Sequence, residues 1–140
     1  MDRVFLDANV LVSAEVTPGS RLGELWRLRG VRLLASPYVL EEARRNVRFA
    51  EVSERLEALV SRMAVLPSEP GDFEIENDPG LPKKDRPVLL AAIAAGADVL
   101  LTGDMTHFGS CYGREFAGVT VLLPGEYLRG RPDECADAEG

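Results

Sequence analysis

The chain is 140 residues long, 46% apolar and 28% charged, with a formal net charge of −7. That balance excludes collagen-like and intrinsically disordered classes, and the length suits one domain whose core needs no disulfide or metal staple. No apolar run reaches the ~18 residues of a membrane span, and Asp2 and Arg3 precede a short strand, so neither a transmembrane helix nor a signal peptide is expected and the expected location is cytoplasmic.

In chain order, residues 4–6 read as a short strand buried on both faces, because a continuous apolar run bounded by polar residues suits a covered sheet. A helical stretch follows, broken near "TPGS" at 17–20, where Ser20 can cap a second segment running to about Leu28. Residues 31–35 form a second strand. Ser36 and Pro37 then supply an N-cap and a proline at the first helical position, predicting a helix over 37–49. Residues 52–63 carry Leu56, Leu59, Val60 and Met63 at helical spacing, and 64–66 supply a short third strand.

Residues 67–84, "PSEPGDFEIENDPGLPKK", form a long irregular stretch of the kind that is often functional inside compact domains. Asp85 then stands where it can cap a strongly apolar helix over 88–95, closed by Gly96. Residues 99–101 and 119–123 are the fourth and fifth strands, and 124–128 a terminal turn or helix. The expected organisation is one domain over 1–129 and a flexible tail over 130–140. Short apolar strands alternating with helices predict an α/β fold with a mainly parallel sheet of about five strands.

Charge is unevenly placed. Residues 1 to 62 hold ten Lys/Arg and nine Asp/Glu, a net of +1, and residues 63 to 140 hold six against fourteen, a net of −8; the two sum to −7. Such an acidic half can still meet phosphate if some of its carboxylates bind divalent metal, because the ion's charge then dominates the local field. Two cysteines, Cys111 and Cys135, suit a reducing compartment and leave a disulfide open. Together with His107 they match no compact zinc-ligand spacing.

Two acids repeat one arrangement. Asp7 ends "RVFLD" and Asp104 ends "ADVLLTGD", each just past an apolar strand, and in parallel α/β sheets ligands bind outside the carboxyl ends of the strands. Carboxylates brought together repel unless a cation neutralises them, so the cluster predicts a hard divalent ion, Mg²⁺ or Mn²⁺. On the helix after Ser36, Val39, Leu40, Ala43 and Val47 define a buried stripe; at roughly 100° per residue Glu42 lies roughly 115° from its centre and Glu41 roughly 145°. Glu42 is therefore the third candidate, while Glu41 can pair with Arg44 or Arg45 on the wet side. Asp85 is the fourth. Each also has a plainer role: Asp7, Asp85 and Asp104 as helix caps, Glu42 as a solvated helix residue.

These stretches, "FLDANVLV" at 5–12, "SPYVLEEARR" at 36–45 and "KKDRPVLLAAIAAGADVLLTGDMTHF" at 83–108, are similar to the PIN domain, and within it to the VapC-like toxin nucleases and their stand-alone relatives. The resemblance implies a Rossmann-like three-layer α/β/α fold. It also implies an acidic pocket in which Asp7, Glu42, Asp85 and Asp104 hold one or two Mg²⁺ or Mn²⁺ ions, supported by Asn9 and Thr102. Many relatives carry a further acid where this chain has Thr106, followed by His107, which is either a phosphate or water ligand or a structural hydrogen-bonder. The implied activity is metal-dependent endonucleolytic hydrolysis of RNA, leaving 5′-phosphate and 3′-hydroxyl ends, by the toxin of a toxin–antitoxin pair. The implied partners are a small antitoxin and a second copy of the chain.

Arg45, Arg48, Lys83 and Lys84 are the candidates for holding flanking phosphates, against the alternative of a solvated face. Two other classes compete. "DANVL" is similar to the D-x-D-x-T/V nucleophile segment of haloacid-dehalogenase-like phosphatases, in which Asp7 would attack phosphorus covalently, but Asn9 stands in place of the second acid and Leu11 in place of Thr or Val. The other is a non-catalytic module whose acids bind metal or a partner for structure alone.

Overall fold

The computed structural model describes residues 1–16 and 21–130. The break at 17–20 with its Ser20 cap, Cys135, and the tail beyond Gly130 lie outside these residues.

Strand β1 (Asp2–Leu6) leads through Asp7 into helix α1 (Ala8–Val16), and a 3-10 segment over Arg21–Arg27 precedes β2 (Val31–Ala35). Helices α2 (Pro37–Arg45) and α3 (Ala50–Val60) connect β2 to the two-residue β3 (Ala64–Val65). After the irregular stretch come α4 (Arg86–Ala94), β4 (Val99–Leu101), the short α5 (Met105–Phe108), β5 (Glu115–Phe116), β6 (Val119–Leu122) and α6 (Pro124–Arg129). The strands form one sheet in the order β3-β2-β1-β4-β6-β5, parallel throughout except that β5 runs antiparallel to β6.

Val4, Phe5 and Leu6 are successive residues of β1, pointing alternately to the two faces of the sheet, and all three are fully buried. Both faces of the centre are therefore covered, and the architecture is a three-layer α/β/α sandwich with a mainly parallel sheet, as expected.

Two departures from expectation stand out. The sheet has six strands rather than about five, because Glu115–Phe116 pairs with Val119–Thr120 through a two-residue turn in which Ala117 (φ 50°) and Gly118 (φ 89°) both take left-handed conformations. Two residues are too few to show any alternation. Helix α2 stops at Arg45 instead of about Phe49. The backbone N–H of Asn46 bonds to Ala43 O (3.1 Å) and that of Val47 to Arg44 O (3.3 Å), a tightened last turn that ends the helix. Val47 and Arg48 thus lie in the connection to α3 rather than on the helix expected over 37–49. Arg44 pairs with Glu57 of α3 through both Nε (2.8 Å) and Nη2 (2.9 Å), rather than with Glu41.

Residues 67–84 have no helix or strand but are firmly pinned. Arg86 donates to Asp72 (2.9 Å), Asp78 (2.6 Å) and the Phe73 carbonyl (2.8 Å), and Ile75 is buried. Tyr38 ties both ends of the stretch to α2, its N–H donating to Glu69 (2.9 Å) and its hydroxyl to Lys84 O (2.5 Å). Cys111 is buried in the core, where desolvation pushes its thiol pKa up.

Candidate functional site at the carboxyl edge of the sheet

The sheet register creates the site. Leu6 of β1 pairs with Leu101 of β4, so the next residues, Asp7 and Thr102, leave the sheet side by side, and Asp104 follows two positions later. Ser36, at the end of β2, caps α2 with its hydroxyl accepting from Val39 N–H (3.3 Å), which starts that helix at the same edge. Helix α4 precedes β4 and begins there too. Asp7, Glu42, Asp85 and Asp104, from four separate elements, line one cavity of about 440 Å³ together with Lys84 and Asn46.

Asp7 is 7% exposed and tightly held. Its Oδ1 accepts from Ala8 N–H (2.7 Å), and its Oδ2 accepts from the Thr102 hydroxyl (2.9 Å) and from Asn9 Nδ2 (3.1 Å). Thr102 is fully buried, and its Oγ1 also accepts from Asn9 Nδ2 (3.3 Å) and from Asp104 N–H (3.2 Å), so one hydroxyl links the two strand-end acids. Asn9 Oδ1 accepts in turn from Gly103 N–H (2.8 Å). A Cβ on Gly103 would stand 3.3 Å from that oxygen, which favours glycine in "TGD". Tyr112 donates to Thr102 O (2.7 Å), and burial raises its phenol pKa to about 12.

Asp104 does cap α5: its Oδ1 accepts from the backbone N–H groups of Thr106 (3.1 Å) and His107 (3.0 Å). Its Oδ2 lies 2.8 Å from His107 Nδ1, which is also 3.0 Å from Asp85 Oδ2. Asp85 occupies the N-cap position of α4 but makes no capping hydrogen bond with its side chain, which corrects the expectation that its side chain caps the start of that helix. Its carboxylate turns to the cavity instead, where the buried Oδ2 accepts no hydrogen bond from the described residues.

The electrostatics follow from this crowding. Burial raises the pKa of Asp7, reinforced by the charges of Asp85 and Glu42 and opposed by the Thr102 and Ala8 hydrogen bonds. Burial likewise raises Asp85, with Asp104 and Glu42 adding repulsion and His107 and Lys84 offsetting part of it. For Asp104 burial also pushes upward, but the His107 N–H, its ring and its charge, with the Thr106 N–H, outweigh it and the pKa is lowered. Buried carboxylates at elevated pKa, hard oxygen donors and one oxygen without a hydrogen bond together fit a divalent cation such as Mg²⁺ or Mn²⁺. Among the described residues, ligand atoms of Asp85, Asp104 and His107 lie within 4.8 Å of one another and could hold such an ion, with Asp7 and Glu42 lining the same cavity.

The remaining candidates separate. Glu42 lines the cavity and Glu41 is exposed. Lys84 lines the acidic cavity, whereas Lys83 lines a separate, more apolar one of about 300 Å³ with Tyr38, Pro87 and Leu90. Arg45 and Arg48 are exposed and lie outside the acidic cavity's lining. Thr106 is exposed and meets Asp104 through its backbone N–H. Asn46, not anticipated, lines the cavity and donates to Glu42 O (2.9 Å); its i+4 spacing from Glu42 was the available sign. Tyr112, eight residues beyond Asp104 in an irregular segment, carried no such sign.

The protein is thus an α/β sandwich with a carboxylate-lined cavity at the carboxyl ends of its parallel strands, built by acids from four elements. The PIN domain family profile matches residues 3–106, and the chain belongs to the PIN domain family. Among solved structures it is similar in fold to VapBC2 from Rickettsia felis bound to a DNA fragment from its promoter, at 17% identity and a TM-score of 0.56, covering 86% of this chain and 98% of that one. It is also similar to VapBC-1 from nontypeable Haemophilus influenzae, at 18% identity and a TM-score of 0.54, covering 88% and 98%. No curated protein matches the sequence. Family membership displaces the phosphatase reading, and the local geometry agrees: Asn9, in the place of a second acid, is engaged with Asp7, Thr102 and Gly103.

Proposed function

We propose that the chain is a Mg²⁺- or Mn²⁺-dependent endoribonuclease, the toxin of a VapBC-like toxin–antitoxin pair acting in the cytoplasm. The observation that carries this reading is the convergence of Asp7, Glu42, Asp85 and Asp104 on one cavity, within a chain of the PIN domain family. When bound, a divalent ion would supply positive charge against the scissile phosphate and acidify the attacking water.

The chain's own residues divide the remaining work. Asp7, Asp85, Asp104 and Glu42 hold the ion, and Thr102 and Asn9 orient Asp7. Lys84, at the rim, offers a charge to a neighbouring phosphate, with Arg45, Arg48 and Lys83 serving phosphates further along the strand. The VapBC neighbours support a small antitoxin as partner, and the same family reasoning supports a homodimer.

The test is cleavage of a mixed RNA pool with Mg²⁺, with Mn²⁺ and with a chelator, using Asp104→Asn as control. Ion-dependent cleavage that the variant lacks while remaining folded supports the reading. No cleavage by the folded native chain under any ion favours a non-catalytic module. If Lys84 contacts phosphate, Lys84→Ala lowers the salt slope of RNA binding by about 0.7; an unchanged slope removes it from the path of the strand.

A further inference from the structure

We infer that His107 is itself a ligand of the divalent ion, bound through Nδ1 beside Asp85 and Asp104, and that this nitrogen favours Mn²⁺ over Mg²⁺. The inference rests on the metal-binding reading of the same cavity and specifies its ion. His107 Nδ1 stands 2.8 Å from Asp104 Oδ2 and 3.0 Å from Asp85 Oδ2, and one ligand atom from each of the three residues lies within 4.8 Å of the others. Adjacent ligands on an octahedron of radius about 2.1 Å are separated by roughly 3.0 Å, so both short distances match edges of such a shell.

A second observation points the same way. Asp85 is only 8% exposed, yet its buried Oδ2 is left without a hydrogen bond and faces this nitrogen. His107 Nδ1, 3.0 Å away, pairs with this oxygen as a cation only when the ring is protonated, so beside a neutral imidazole the buried oxygen is costly unless a metal ion completes its surroundings. The imidazole is positioned by the acid it would share the ion with: the His107 backbone N–H donates to Asp104 Oδ1 (3.0 Å), fixing both residues on one turn with their remaining ligand atoms together. Mg²⁺ strongly prefers oxygen, whereas imidazole is a better ligand for later first-row ions and is tolerated by Mn²⁺.

The experiment uses the full chain and the His107→Asn and His107→Gln variants. Free Mn²⁺ is followed by electron paramagnetic resonance during titration, with Mg²⁺ as competitor, and pulsed measurements on the Mn²⁺-loaded protein detect nitrogen coupled to the ion. The native chain is expected to show nitrogen coupling that both variants lose. The ratio of Mn²⁺ to Mg²⁺ affinity is expected to fall on the order of tenfold, the scale on which even outer-shell partners of metal ligands register. Saturable Mn²⁺ binding without nitrogen coupling overturns the role of His107 and leaves the metal site standing. Absence of saturable binding overturns both. If either variant is unfolded by circular dichroism, the presence or absence of coupling in the native chain decides.

Discussion

The two ends of the parallel sheet treat charge in opposite ways. At the amino end, Arg3 and Asp98 are cross-linked, Arg3 N–H donating to the Asp98 carboxylate (2.9 Å) and Asp98 N–H to Arg3 O (2.7 Å). The Arg3 guanidinium also donates to the carbonyls of Ala95 (2.7 Å) and Gly96 (3.2 Å) at the end of α4, where a cation complements the helix dipole. At the carboxyl end, four acids face one cavity with Lys84 at its rim and His107 beside Asp85 and Asp104. Helix α4 spans both environments, with its last turn held by Arg3 and Asp85 at its start left without a capping bond. One end is arranged for local stability, and the other carries repulsion that a ligand would relieve.

That contrast breaks most sharply at the acids. Asp104→Asn or Asp85→Asn is expected to lower RNA cleavage by on the order of 100-fold or more, since outer-shell changes alone cost 10–100-fold. Circular dichroism should show either variant still folded, and cleavage at the native rate would remove that residue from the site. Thr102→Val comes next, because it deletes the hydroxyl joining Asp7, Asn9 and Asp104 N–H. It should destabilise the protein by about 1–3 kcal/mol in urea unfolding and also slow cleavage, as expected of a buried junction left unsatisfied. At the opposite end, Arg3→Ala should cost about 0.5–1.5 kcal/mol and leave cleavage unchanged. A loss of activity there would mean that the two ends are coupled.

The smallest effect is the pH dependence of the metal-free protein. Asp7 and Asp85 have folded pKa values above their ordinary 3.8, so their favourable contribution is complete below that value and is lost as pH rises through the folded pKa values. Asp104 has the opposite sign: its contribution is present above 3.8 and is lost as pH falls through its lowered value. Between 3.8 and the raised values of Asp7 and Asp85, the metal-free chain should therefore gain stability as pH falls. Asp85→Asn should flatten that gain and stabilise the metal-free protein at neutral pH. Thermal melts across the window with chelator present check this, and a native profile identical to that of Asp85→Asn would contradict the assignment of repulsion to the acid cluster.

Much of the architecture was legible before the structure. The strand over Val31–Ala35, the Ser36 cap with Pro37 behind it, the strand over Val99–Leu101 and the left-handed Gly96 (φ 68°) all follow from short-range chemistry that a few neighbouring residues carry. The end of α2 and strand β5 were not legible, because a tightened final turn and a two-residue strand leave no periodic trace. Asp85 stood in a good capping position, and nothing nearby in sequence could indicate that its side chain would turn toward His107, twenty-two residues later.

The sequence by itself determined an acid at the end of each of two buried strands, a helix beginning at Pro37 and an apolar helix introduced by a third acid, because periodicity and capping act over a few residues. Only the tertiary structure decided that these acids meet in one cavity, that Lys84 and Lys83 part to different cavities, and that His107 sits between two carboxylates. Those outcomes depend on the pairing of Leu6 with Leu101 and on how α2 and α4 pack beside that pair. Such contacts link residues far apart along the chain, so no local pattern encodes them.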